Sequence, residues 1–477
     1  MPAQRTGEDV IAGERLEVRS PYSGEVVGSV AMAGPDEVER ALTAAARDGA
    51  PAMAALAAHE RAAVLHRAAA LVEDDVDELA DLITAEQGKH TVEARAEAER
   101  IPGILRICAE EACRLSGEVL PMDAAPVGVG RLGYTRREPT GVVVAITPFN
   151  YPAILVIHKV APALAAGCAV VLKPAAATPL TALFLAERIL RAGLPDAGLQ
   201  CLVGRGGTIG PALCADPRVR KISFTGSHAV GEAIARTAGA KRITCELGSN
   251  AAAVVLADAD VERAAAAIAF SGYTNAGQNC VSTQRVVVDR SRVDELLHHL
   301  LTRVGAMTTG DPADPRTDVS PLIDAREAAR VADTLAQARR DGAEILLGGE
   351  RDGAVLEPAV ALEPPAASRL WRDELFGPAV AVRAVAGDDE ALALANDTRF
   401  GLAASVMTRD LDRALRFAAG LHAGMVNVNP PRGSTWRADF MPWGGFGDSG
   451  FGKEGVRWAI RDMTEEKLVV VHPGDAA

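Results

Sequence analysis

The chain has 477 residues, which is too long for one compact core and predicts roughly two or three domains. Hydrophobic residues make up 48% of it and aromatic residues only 4%, a composition that excludes a disordered chain and favours an α/β protein packed largely with alanine, valine and leucine. The formal net charge of −13 excludes nucleic acid as a general partner, because phosphate binding needs a basic face.

Cysteine and histidine usage indicates neither a disulfide framework nor a metal site. The seven cysteines are an odd number without a CxxC pair, which predicts a reducing compartment and a cytoplasmic location. The nine histidines form no ligand cluster with them, so we expect no metal. Residues 1–19 carry charges and lack the apolar core of a signal peptide, and the uncharged run 139–158 is broken by glycine and proline, so we expect no membrane partner.

The first half of the chain predicts helices, then a hairpin arm, then a parallel sheet. Residues 36–114 show apolar faces with helical periodicity, and Arg100 lies on the last of these helices. Residues 119–137 are polar and glycine-rich with a strand-like stretch, which favours one arm of a hairpin that leaves the main body. Strands then alternate with helices, a pattern typical of a parallel nucleotide-type sheet with crossover helices. The predicted strands span 141–146, 169–172, 201–203 and 221–224, and the predicted helices span 152–166, 181–191 and 208–214.

A second α/β pattern begins near Ala251. Residues 467–472 form a lone terminal strand, which would leave an unpaired edge unless it pairs elsewhere, so we expect a subunit contact there. The other predicted strands span 286–288, 345–347, 380–384, 405–408 and 425–428, and the predicted helices span 292–303, 325–340 and 411–419.

A single cysteine, Cys280, follows a Gly-Gln-Asn turn between an alanine-rich helical run and a valine-rich strand. Backbone N–H groups are free where a helix gives way to a loop, and a thiolate or an oxyanion can use them. An isolated loop cysteine is more often a small buried apolar residue, so other parts of the chain have to support a role as nucleophile.

Four other features lie at predicted strand ends, where the sites of open parallel sheets are found. Asn150, in Thr147-Pro-Phe-Asn-Tyr-Pro152, offers an N–H donor, although a turn asparagine beside prolines needs no such role. Lys173 can reach a ribose or a phosphate, or is simply a surface lysine. The glycine loop 224–231 suits a pyrophosphate at a helix N-terminus, or is a plain helix cap. Glu246 is a candidate general base, although most carboxylates are solvated.

Together with four further motifs, these features resemble the aldehyde dehydrogenase superfamily over essentially the whole chain. Each motif alone is weak evidence, but eight of them in the family's order and spacing are specific. The motifs are Thr147-Pro-Phe-Asn-Tyr-Pro152, Lys173-Pro174, Phe224-Thr-Gly-Ser227, Glu246-Leu-Gly248, Gly277-Gln-Asn-Cys280, Glu374-Leu-Phe-Gly-Pro378, Gly424-Met-Val-Asn-Val-Asn429 and Pro442-Trp-Gly-Gly-Phe-Gly-Asp-Ser-Gly450.

The resemblance implies a fold, a domain organisation and an oligomer. The implied fold is α/β, with a Rossmann-like parallel-sheet cofactor domain, an α/β catalytic domain and a small β oligomerisation arm. By this resemblance residues 1–118 and 140–248 form the cofactor-binding domain, residues 249–430 the catalytic domain, and residues 119–139 and 455–477 the arm. The implied assembly is a homodimer or a homotetramer.

The resemblance also implies NAD- or NADP-dependent oxidation of a small aldehyde to its carboxylic acid. Cys280 would be the nucleophile that forms a thiohemiacetal and then a thioester. The Asn150 side chain and the Cys280 backbone N–H would form the oxyanion hole, and Glu246 would activate the hydrolytic water. The implied cofactor contacts are Ile146, Thr147, Pro148, Phe149, Lys173, Ala176, Gly210, Phe224, Gly226, Ser227, Leu247, Glu374 and Phe376.

One departure from the family pattern bears on the choice between NAD and NADP. Many NAD-dependent members carry a glutamate two residues after the Lys-Pro pair, where it binds both adenosine ribose hydroxyls, and this chain has Ala176 there. Without that carboxylate a 2′-phosphate is not repelled, so NADP is admissible and NAD loses one contact. Ser249 and Trp443 replace a frequent glycine and a frequent phenylalanine, and neither change disables the mechanism.

By the same resemblance, Arg100, Tyr151, His158, Asn279 and Arg437 line the substrate pocket. These positions hold few aromatics and two arginines, whose forked guanidinium groups match carboxylate and phosphate geometry. We therefore expect a small anionic aldehyde, either a semialdehyde or an aldehyde that bears a phosphonate, sulfonate or phosphate group. The chain is similar to the lactaldehyde, non-phosphorylating glyceraldehyde-3-phosphate and phosphonoacetaldehyde dehydrogenase branch. Surface or ion-paired arginines are the alternative at both positions.

Three other functions stay open at this point. A CoA-acylating member passes the acyl group to CoA, but such members usually lack the general-base glutamate. A neutral-aldehyde, lactaldehyde-like dehydrogenase is the second alternative. A catalytically silent relative is the third, and such relatives usually lose the nucleophile that this chain keeps together with Asn150 and Glu246.

Overall fold

The computed structural model describes residues 14–472 of the chain. Residues 1–13 and 473–477 lie outside the described residues. They include most of the stretch 1–19 that was predicted not to be a signal peptide. They also include the first residues of the predicted cofactor-binding domain and the last residues of the predicted arm. Helices and mostly parallel strands alternate over the described part, which confirms the predicted α/β fold.

The strands of the described chain form two large sheets and several small ones. In chain order they are β1 (Arg15–Arg19), β2 (Val26–Ala31), β3 (Val119–Leu120), β4 (Leu132–Pro139), β5 (Val142–Ile146), β6 (Ala169–Lys173), β7 (Leu199–Cys201), β8 (Val219–Thr225), β9 (Arg242–Glu246), β10 (Ala252–Val255), β11 (Arg285–Asp289), β12 (Glu344–Leu347), β13 (Arg351–Asp352), β14 (Val355–Leu356), β15 (Ala359–Leu362), β16 (Ala379–Val385), β17 (Phe400–Gly401), β18 (Ala403–Met407), β19 (Met425–Val428), β20 (Phe446–Gly447), β21 (Gly450–Phe451) and β22 (Thr464–Val471).

The α-helices of the described chain cover the faces of these sheets. In chain order they are α1 (Pro35–Ala44), α2 (Ala50–Ala55), α3 (Ala58–Asp74), α4 (Val76–Gln87), α5 (Thr91–Arg114), α6 (Ile154–Ala166), α7 (Pro179–Arg191), α8 (Gly206–Ala215), α9 (His228–Ala238), α10 (Val261–Tyr273), α11 (Val293–Gly305), α12 (Ala325–Arg340), α13 (Arg369–Arg372), α14 (Asp388–Asn396), α15 (Leu411–Gly420) and α16 (Val456–Asp462).

The first large sheet has the order β21-β9-β8-β5-β6-β7, in which only β21 is antiparallel to its neighbour. Strands β5 and β6 are runs of aliphatic residues that are buried over their whole length, as expected when helices cover both faces of a parallel sheet. Val143 and Ala145 pack in one core cluster with helices α3 to α7, whereas Val142 and Val144 pack in another with α1, α8 and α9. Because successive side chains of a strand point to opposite faces of the sheet, β5 contributes to the cores on both faces.

The second large sheet has the order β12-β15-β16-β11-β10-β18-β19 and is parallel except for the edge strand β12. Its strands and helices α10, α11 and α12 share one large apolar cluster. All the strands that the sequence predicted for this half are present. Strand β15 was not predicted, because its four residues lie in a short apolar run between prolines.

The C-terminal strand β22 belongs to a small separate sheet with the order β22-β4-β3. It pairs antiparallel with β4 along its full length, from Thr464 opposite Pro139 to Val471 opposite Leu132. The prediction of a lone terminal strand was therefore wrong, because β4 is longer than its strand-like sequence suggested and offers a complete ladder. The other edge of β22 has no strand partner among residues 14–472.

Helix α16 connects the first large sheet to β22. Its residues Val456 and Ile460, with the following Met463, belong to the core cluster that also contains α5 and α6. The strand predicted over residues 467–472 begins earlier, at Thr464, directly after this helix. The division into domains stays a prediction.

Residues 14–472 contain neither a helix that could span a membrane nor a cluster of metal ligands. None of the helices within residues 14–472 combines the length and the apolar character that a membrane span requires. Over the same residues, no three histidine, cysteine, aspartate or glutamate side chains gather into a group that could hold a metal ion. All seven cysteines are unpaired.

Candidate active site

The predicted polar side chains of the first sheet meet at its carboxyl edge. Strands β9, β8, β5 and β6 are parallel neighbours, so their carboxyl ends lie side by side. The register sets Ile146 opposite both Lys173 and Phe224, and it sets Thr225 opposite Glu246. The loop that carries Asn150, the Lys173 side chain and the Glu246 carboxyl group therefore all lie at one edge of the sheet.

The loop before Cys280 has an unusual backbone that the sequence accommodates. Helix α10 ends at Tyr273, and Asn275, Ala276 and Gly277 follow with φ angles of 53°, 53° and 70°, in the left-handed region. A Cβ atom on Gly277 would lie 2.0 Å from the carbonyl oxygen of Gly377, so only glycine fits there. The turn is thus held against the second sheet, and the half-buried Cys280 follows it three residues later.

The Cys280 thiol is not activated by its surroundings. Burial raises the pKa of this thiol to about 12, and the nearby carboxyl groups of Glu374 and Glu246 add to the rise, whereas the positive charge of Arg437 opposes it. The free N–H groups expected at this loop therefore do not produce a preformed thiolate. The thiolate has to form when a proton acceptor becomes available.

Asn150 is buried and is joined directly to the cysteine loop. Its Nδ2 donates to the carbonyl of Gln278 at 2.9 Å, and its own carbonyl accepts from Asn275 Nδ2 at 2.9 Å and from Lys89 Nζ at 3.0 Å. A carboxamide carries two N–H bonds, so one remains for another acceptor. The structure thus brings Asn150 and the Cys280 loop together, as the sequence predicted.

A buried ion pair that was not identified from the sequence supports this arrangement. Lys89 pairs with Glu97, and Lys89 Nζ also lies 3.8 Å from the centre of the Tyr151 ring. The other oxygen of Glu97 accepts from the backbone N–H groups of Ala153 at 2.9 Å and Ile154 at 3.1 Å, where α6 begins. The only sequence signals were a lysine directly after the Gly88 helix stop and an acidic residue on the apolar face of α5.

Glu246 ends strand β9 and is buried, and neither of its carboxyl oxygens has a hydrogen-bond partner within residues 14–472. Burial raises the pKa of this carboxyl group well above its usual value, and the charge of Glu454 adds to the rise, although Lys159 opposes it. Lys159 and Glu454 themselves form a buried ion pair. A carboxyl group with a raised pKa and open oxygens is suited to exchanging protons near neutral pH.

The edge of the first sheet also has the features that a dinucleotide would use. Lys173 is buried, donates to the Pro174 carbonyl at 2.9 Å and has no carboxylate partner among residues 14–472, and burial lowers its pKa to about 8. The buried hydroxyls of Thr147, Thr178 and Thr225, which follow or end β5, β6 and β8, have no hydrogen-bond partner in the described part of the chain. These open polar groups fit a bound NAD or NADP.

Helix α9 starts at the same edge, immediately after Gly226 and Ser227. Ser227 is the N-cap residue and makes no side-chain cap hydrogen bond. The first N–H groups of a helix lack partners within the helix and favour an anion. This end of α9 is therefore open to a phosphate group.

Glu374 and Phe376 reach the edge from the second half of the chain. Glu374 accepts from the Ser249 backbone N–H at 3.0 Å, and burial raises its pKa to about 7. Phe376, at a φ of 52°, packs edge-on against Phe149 with ring centres 6.0 Å apart. Of the other predicted cofactor residues, Ile146, Phe224 and Leu247 are buried, Pro148 and Ala176 are half-buried, and Gly210 lies in α8 with open space at its Cβ position.

The predicted substrate residues form a second group around Asp439, which was not identified from the sequence. Both Asp439 oxygens contact the Arg100 guanidinium, one of them at 3.2 Å from Nε, and His158 Nε2 lies 3.4 Å from Oδ1. Arg100 is therefore ion-paired, the alternative that the sequence left open. The side chain of Arg437 has no carboxylate partner among residues 14–472, and its guanidinium lies 4.4 Å from the centre of the Trp443 ring.

Tyr151 and Asn279 link this group to the reactive loop. Asn279 Nδ2 donates to the Tyr151 hydroxyl at 3.2 Å, and its Oδ1 accepts from the Val281 N–H at 3.1 Å. Both residues thus lie next to Cys280, where the sequence predicted them.

A cysteine, a carboxamide and an open carboxyl group beside a nucleotide-type sheet edge define an oxidoreductase of the NAD(P)-dependent class. The family model described as the aldehyde dehydrogenase family matches residues 10–469, and the chain belongs to that family. The resemblance seen in the sequence is confirmed.

Relatives with known names and solved structures are similar to this chain over nearly its full length. The chain is 41% identical over 466 residues to the 3-sulfolactaldehyde dehydrogenase of Priestia aryabhattai, covering 98% of this chain and 97% of that protein. It is 37% identical over 468 residues to the NADP-dependent succinate-semialdehyde dehydrogenase of Escherichia coli, covering 97% and 95%. The crystal structure of a glyceraldehyde-3-phosphate dehydrogenase from Methanocaldococcus jannaschii, complexed with NADP, superposes with a TM-score of 0.92 at 34% identity, covering 96% of this chain and 98% of that one.

We predict that the Cys280 thiol of the cofactor-free enzyme reacts faster with iodoacetamide as the pH rises. Because the thiolate is the reacting form and burial raises its pKa to about 12, the rate should increase about tenfold per pH unit between about pH 7 and about pH 9. Mass spectrometry of the peptide that contains Cys280 measures this rate, and Cys280→Ser identifies the peptide. A rate independent of pH would show that the thiolate is already formed at neutral pH.

Proposed function

We propose that this protein oxidises a small anionic aldehyde to its carboxylic acid, with NAD or NADP as the hydride acceptor and hydrolysis as the final step. The observation that carries the proposal is the hydrogen bond that joins Asn150 to Gln278 in the Cys280 loop, together with the open carboxyl group of Glu246 at the end of β9 in the same sheet as β5. These are the groups that a covalent aldehyde oxidation followed by hydrolysis requires.

In the first step, the Cys280 thiol gives its proton to a solvent water molecule, and Sγ attacks the aldehyde carbon to form a thiohemiacetal. The second N–H of Asn150 Nδ2 and the backbone N–H of Cys280 stabilise the oxygen anion that develops, each donor contributing ~3 kcal/mol. A nicotinamide held beside Glu374 and Phe376 would supply the hydride acceptor, and loss of a hydride from the substrate carbon would leave a thioester on Cys280. The hydrogen bonds of Asn150 to the cysteine loop keep the donor in position before the substrate arrives.

In the last step, Glu246 takes a proton from a water molecule that attacks the thioester carbonyl, and the Cys280 thiolate leaves. The raised pKa of Glu246, which is caused by burial and by Glu454, makes its carboxylate a stronger base than a solvated one. The presence of this group supports hydrolysis rather than transfer to CoA. It also argues against a silent relative, since nucleophile, oxyanion donor and base are all present.

We predict that Glu246→Gln retains the first half-reaction and loses most of the second. Without a base the thioester should accumulate, so NADH or NADPH should appear in a burst of about one per subunit, followed by a steady rate lowered about a hundredfold or more. Stopped-flow absorbance measures both phases. Cys280→Ser is the control and should show neither burst nor turnover. An unchanged steady rate in Glu246→Gln, or turnover that depends on CoA in the native enzyme, would contradict the proposal.

We propose that the cofactor lies along the carboxyl edge of β5, β6 and β8. Lys173, which has no carboxylate partner within residues 14–472, would contact the adenosine ribose or its 2′-phosphate, and Ala176 leaves the adjacent position without a negative charge. The first turn of α9 would hold the pyrophosphate, and Glu374 would accept from the nicotinamide ribose. This arrangement admits both NAD and NADP.

We predict that Ala176→Glu makes the enzyme discriminate against NADP. The new carboxylate would repel a 2′-phosphate and accept from free ribose hydroxyls, so KM for NADP should rise about tenfold while KM for NAD stays level or falls. Steady-state kinetics with each cofactor measure the ratio. Equal changes for both cofactors would show that the adenosine ribose lies elsewhere.

The anionic character of the substrate is supported by the relatives and by one arginine. The relatives named for 3-sulfolactaldehyde, aspartate semialdehyde and succinate semialdehyde are named for aldehydes that carry an anionic group. In this chain Arg437 has no carboxylate partner within residues 14–472, and its charge acts on both Cys280 and Glu246. An anionic group on the substrate would supply the missing partner.

We predict that Arg437→Ala raises KM for an anionic aldehyde about tenfold or more and leaves KM for a neutral aldehyde near its original value. The guanidinium offers charge-assisted hydrogen bonds that a neutral substrate cannot accept. Arg100→Ala should act in the same direction, because it leaves the Asp439 carboxylate unpaired beside the substrate. Succinate semialdehyde and propanal are suitable aldehydes. Equal effects of Arg437→Ala on both would rule out an anionic subsite.

We infer a homodimer or homotetramer that forms through the sheet β22-β4-β3. One edge of β22 is open within the described chain, and Val119, Leu132 and Leu468 on these strands are exposed. An open edge with exposed apolar side chains favours association with a second copy. The seven unpaired cysteines support the cytoplasmic location that the sequence predicted.

A further inference from the structure

Asp439 determines which of the pocket's positive charges is available to a substrate. Its two carboxyl oxygens contact the Nε and terminal nitrogen of Arg100 in a forked arrangement, with Nε at 3.2 Å from Oδ2. A carboxylate that uses both oxygens on one guanidinium occupies the face that would otherwise receive a substrate carboxylate. Arg100 is thus engaged within the protein before a substrate binds.

His158 contributes no positive charge to this group. It is buried in α6 with Nε2 3.4 Å from Asp439 Oδ1, and burial lowers its pKa although the contact with Asp439 opposes that change. Asp439 itself is charged, because its contacts with His158 and Arg100 hold its pKa below the usual range despite its burial. The charged groups in direct contact in this cluster are therefore the Asp439 carboxylate and the Arg100 guanidinium, and the charges of Arg437 and Glu454 act on it from further away.

Arg437 carries the other positive charge near this cluster, and its charge influences the reacting groups. It precedes Asp439 by two positions in the same loop and has no carboxylate within ion-pair distance in the described part of the chain. Its charge opposes the burial-induced rise in the pKa of both Cys280 and Glu246. A substrate whose aldehyde carbon is at Cys280 therefore meets one free guanidinium, with the Asp439 carboxylate close by.

We propose that Asp439 sets the charge selectivity of the enzyme, so that the pocket accepts an aldehyde whose anionic group carries one negative charge, a carboxylate or a sulfonate, and rejects a dianionic phosphate. The inference rests on the proposed oxidation of anionic aldehydes and adds the substrate class to it. A second negative charge on the substrate is repelled by Asp439, whose carboxylate already occupies one edge of the Arg100 guanidinium, and such a repulsive element is a common source of specificity.

The test is Asp439→Asn, which frees Arg100 and removes the repulsion. Glyceraldehyde 3-phosphate serves as the dianionic aldehyde, at a pH of about 8 where its phosphate is doubly charged, and succinate semialdehyde serves as the singly charged one. The ratio of kcat/KM for the phosphate to kcat/KM for the carboxylate should rise about tenfold, as expected for one additional charge-assisted hydrogen bond. Glu73→Gln is the matched control, because it removes the carboxylate partner of Arg106 on the same helix α5 and should not change the ratio.

A double variant tests whether Arg100 binds the substrate directly or acts only by neutralising Asp439. If Arg100 acts only by neutralising Asp439, Arg100→Ala should lower kcat/KM for succinate semialdehyde about tenfold, and adding Asp439→Asn should restore it to within about threefold of the native value. Circular dichroism and the thermal midpoint establish that each variant is folded.

Different results would overturn the role of Asp439 and the proposed function. An unchanged phosphate-to-carboxylate ratio in a folded Asp439→Asn variant, or no recovery in the double variant, overturns the role of Asp439. A native enzyme that shows no preference for anionic over neutral aldehydes overturns the proposed function instead.

Discussion

The hydrogen bond from the Asn150 carboxamide to the Gln278 carbonyl is the contact on which the rest of the site depends. Asn150 follows β5 of the first sheet and Gln278 precedes β11 of the second, so this bond joins the two sheets beside the cysteine. Asn275, in the cysteine loop, makes the same connection because its Nδ2 donates both to the backbone carbonyl of Asn150 and to the carbonyl of Gln278. All these groups are buried, where an unmade hydrogen bond would leave polar atoms without water, so the two loops hold each other in position. Cys280 is placed against a donor from another part of the chain for this reason.

Buried ionisable groups in this protein fall into two kinds. Lys89 and Glu97 form a pair whose remaining hydrogen bonds are also made, which limits the cost of burying two charges. Glu246 and Lys173 are buried without an ionic partner among the described residues, and burial raises the pKa of Glu246 and lowers that of Lys173, which favours the neutral form of each. Both unpaired groups lie at the carboxyl edge of the first sheet. Unpaired buried charges weaken a fold, so their concentration at one edge marks the place where ligands complete the interactions.

Much of the fold was predictable, because the signals are local. The aliphatic runs of β5 and β6 and the helical periodicity of α12 identify their own elements. Strand β15 and the pairing of β22 with β4 were not predictable, since a short strand between prolines and a long-range ladder leave little trace in the local pattern. The same holds for the site. Cys280 and its partners lie in motifs, whereas Lys89 and Asp439 are defined by contacts with residues far along the chain.

By itself, the sequence determined the class of fold, the family and the groups available for the reaction, because these follow from periodicity and from motifs a few residues long. It left Arg100 and Arg437 equivalent, as two arginines assigned to the same pocket. Only the tertiary structure decided between them, by bringing Asp439 against Arg100 across 339 residues and leaving Arg437 without a carboxylate in the described chain. The physical reason is that the effective charge of a side chain depends on what packs against it, and distant segments meet only when the chain has folded.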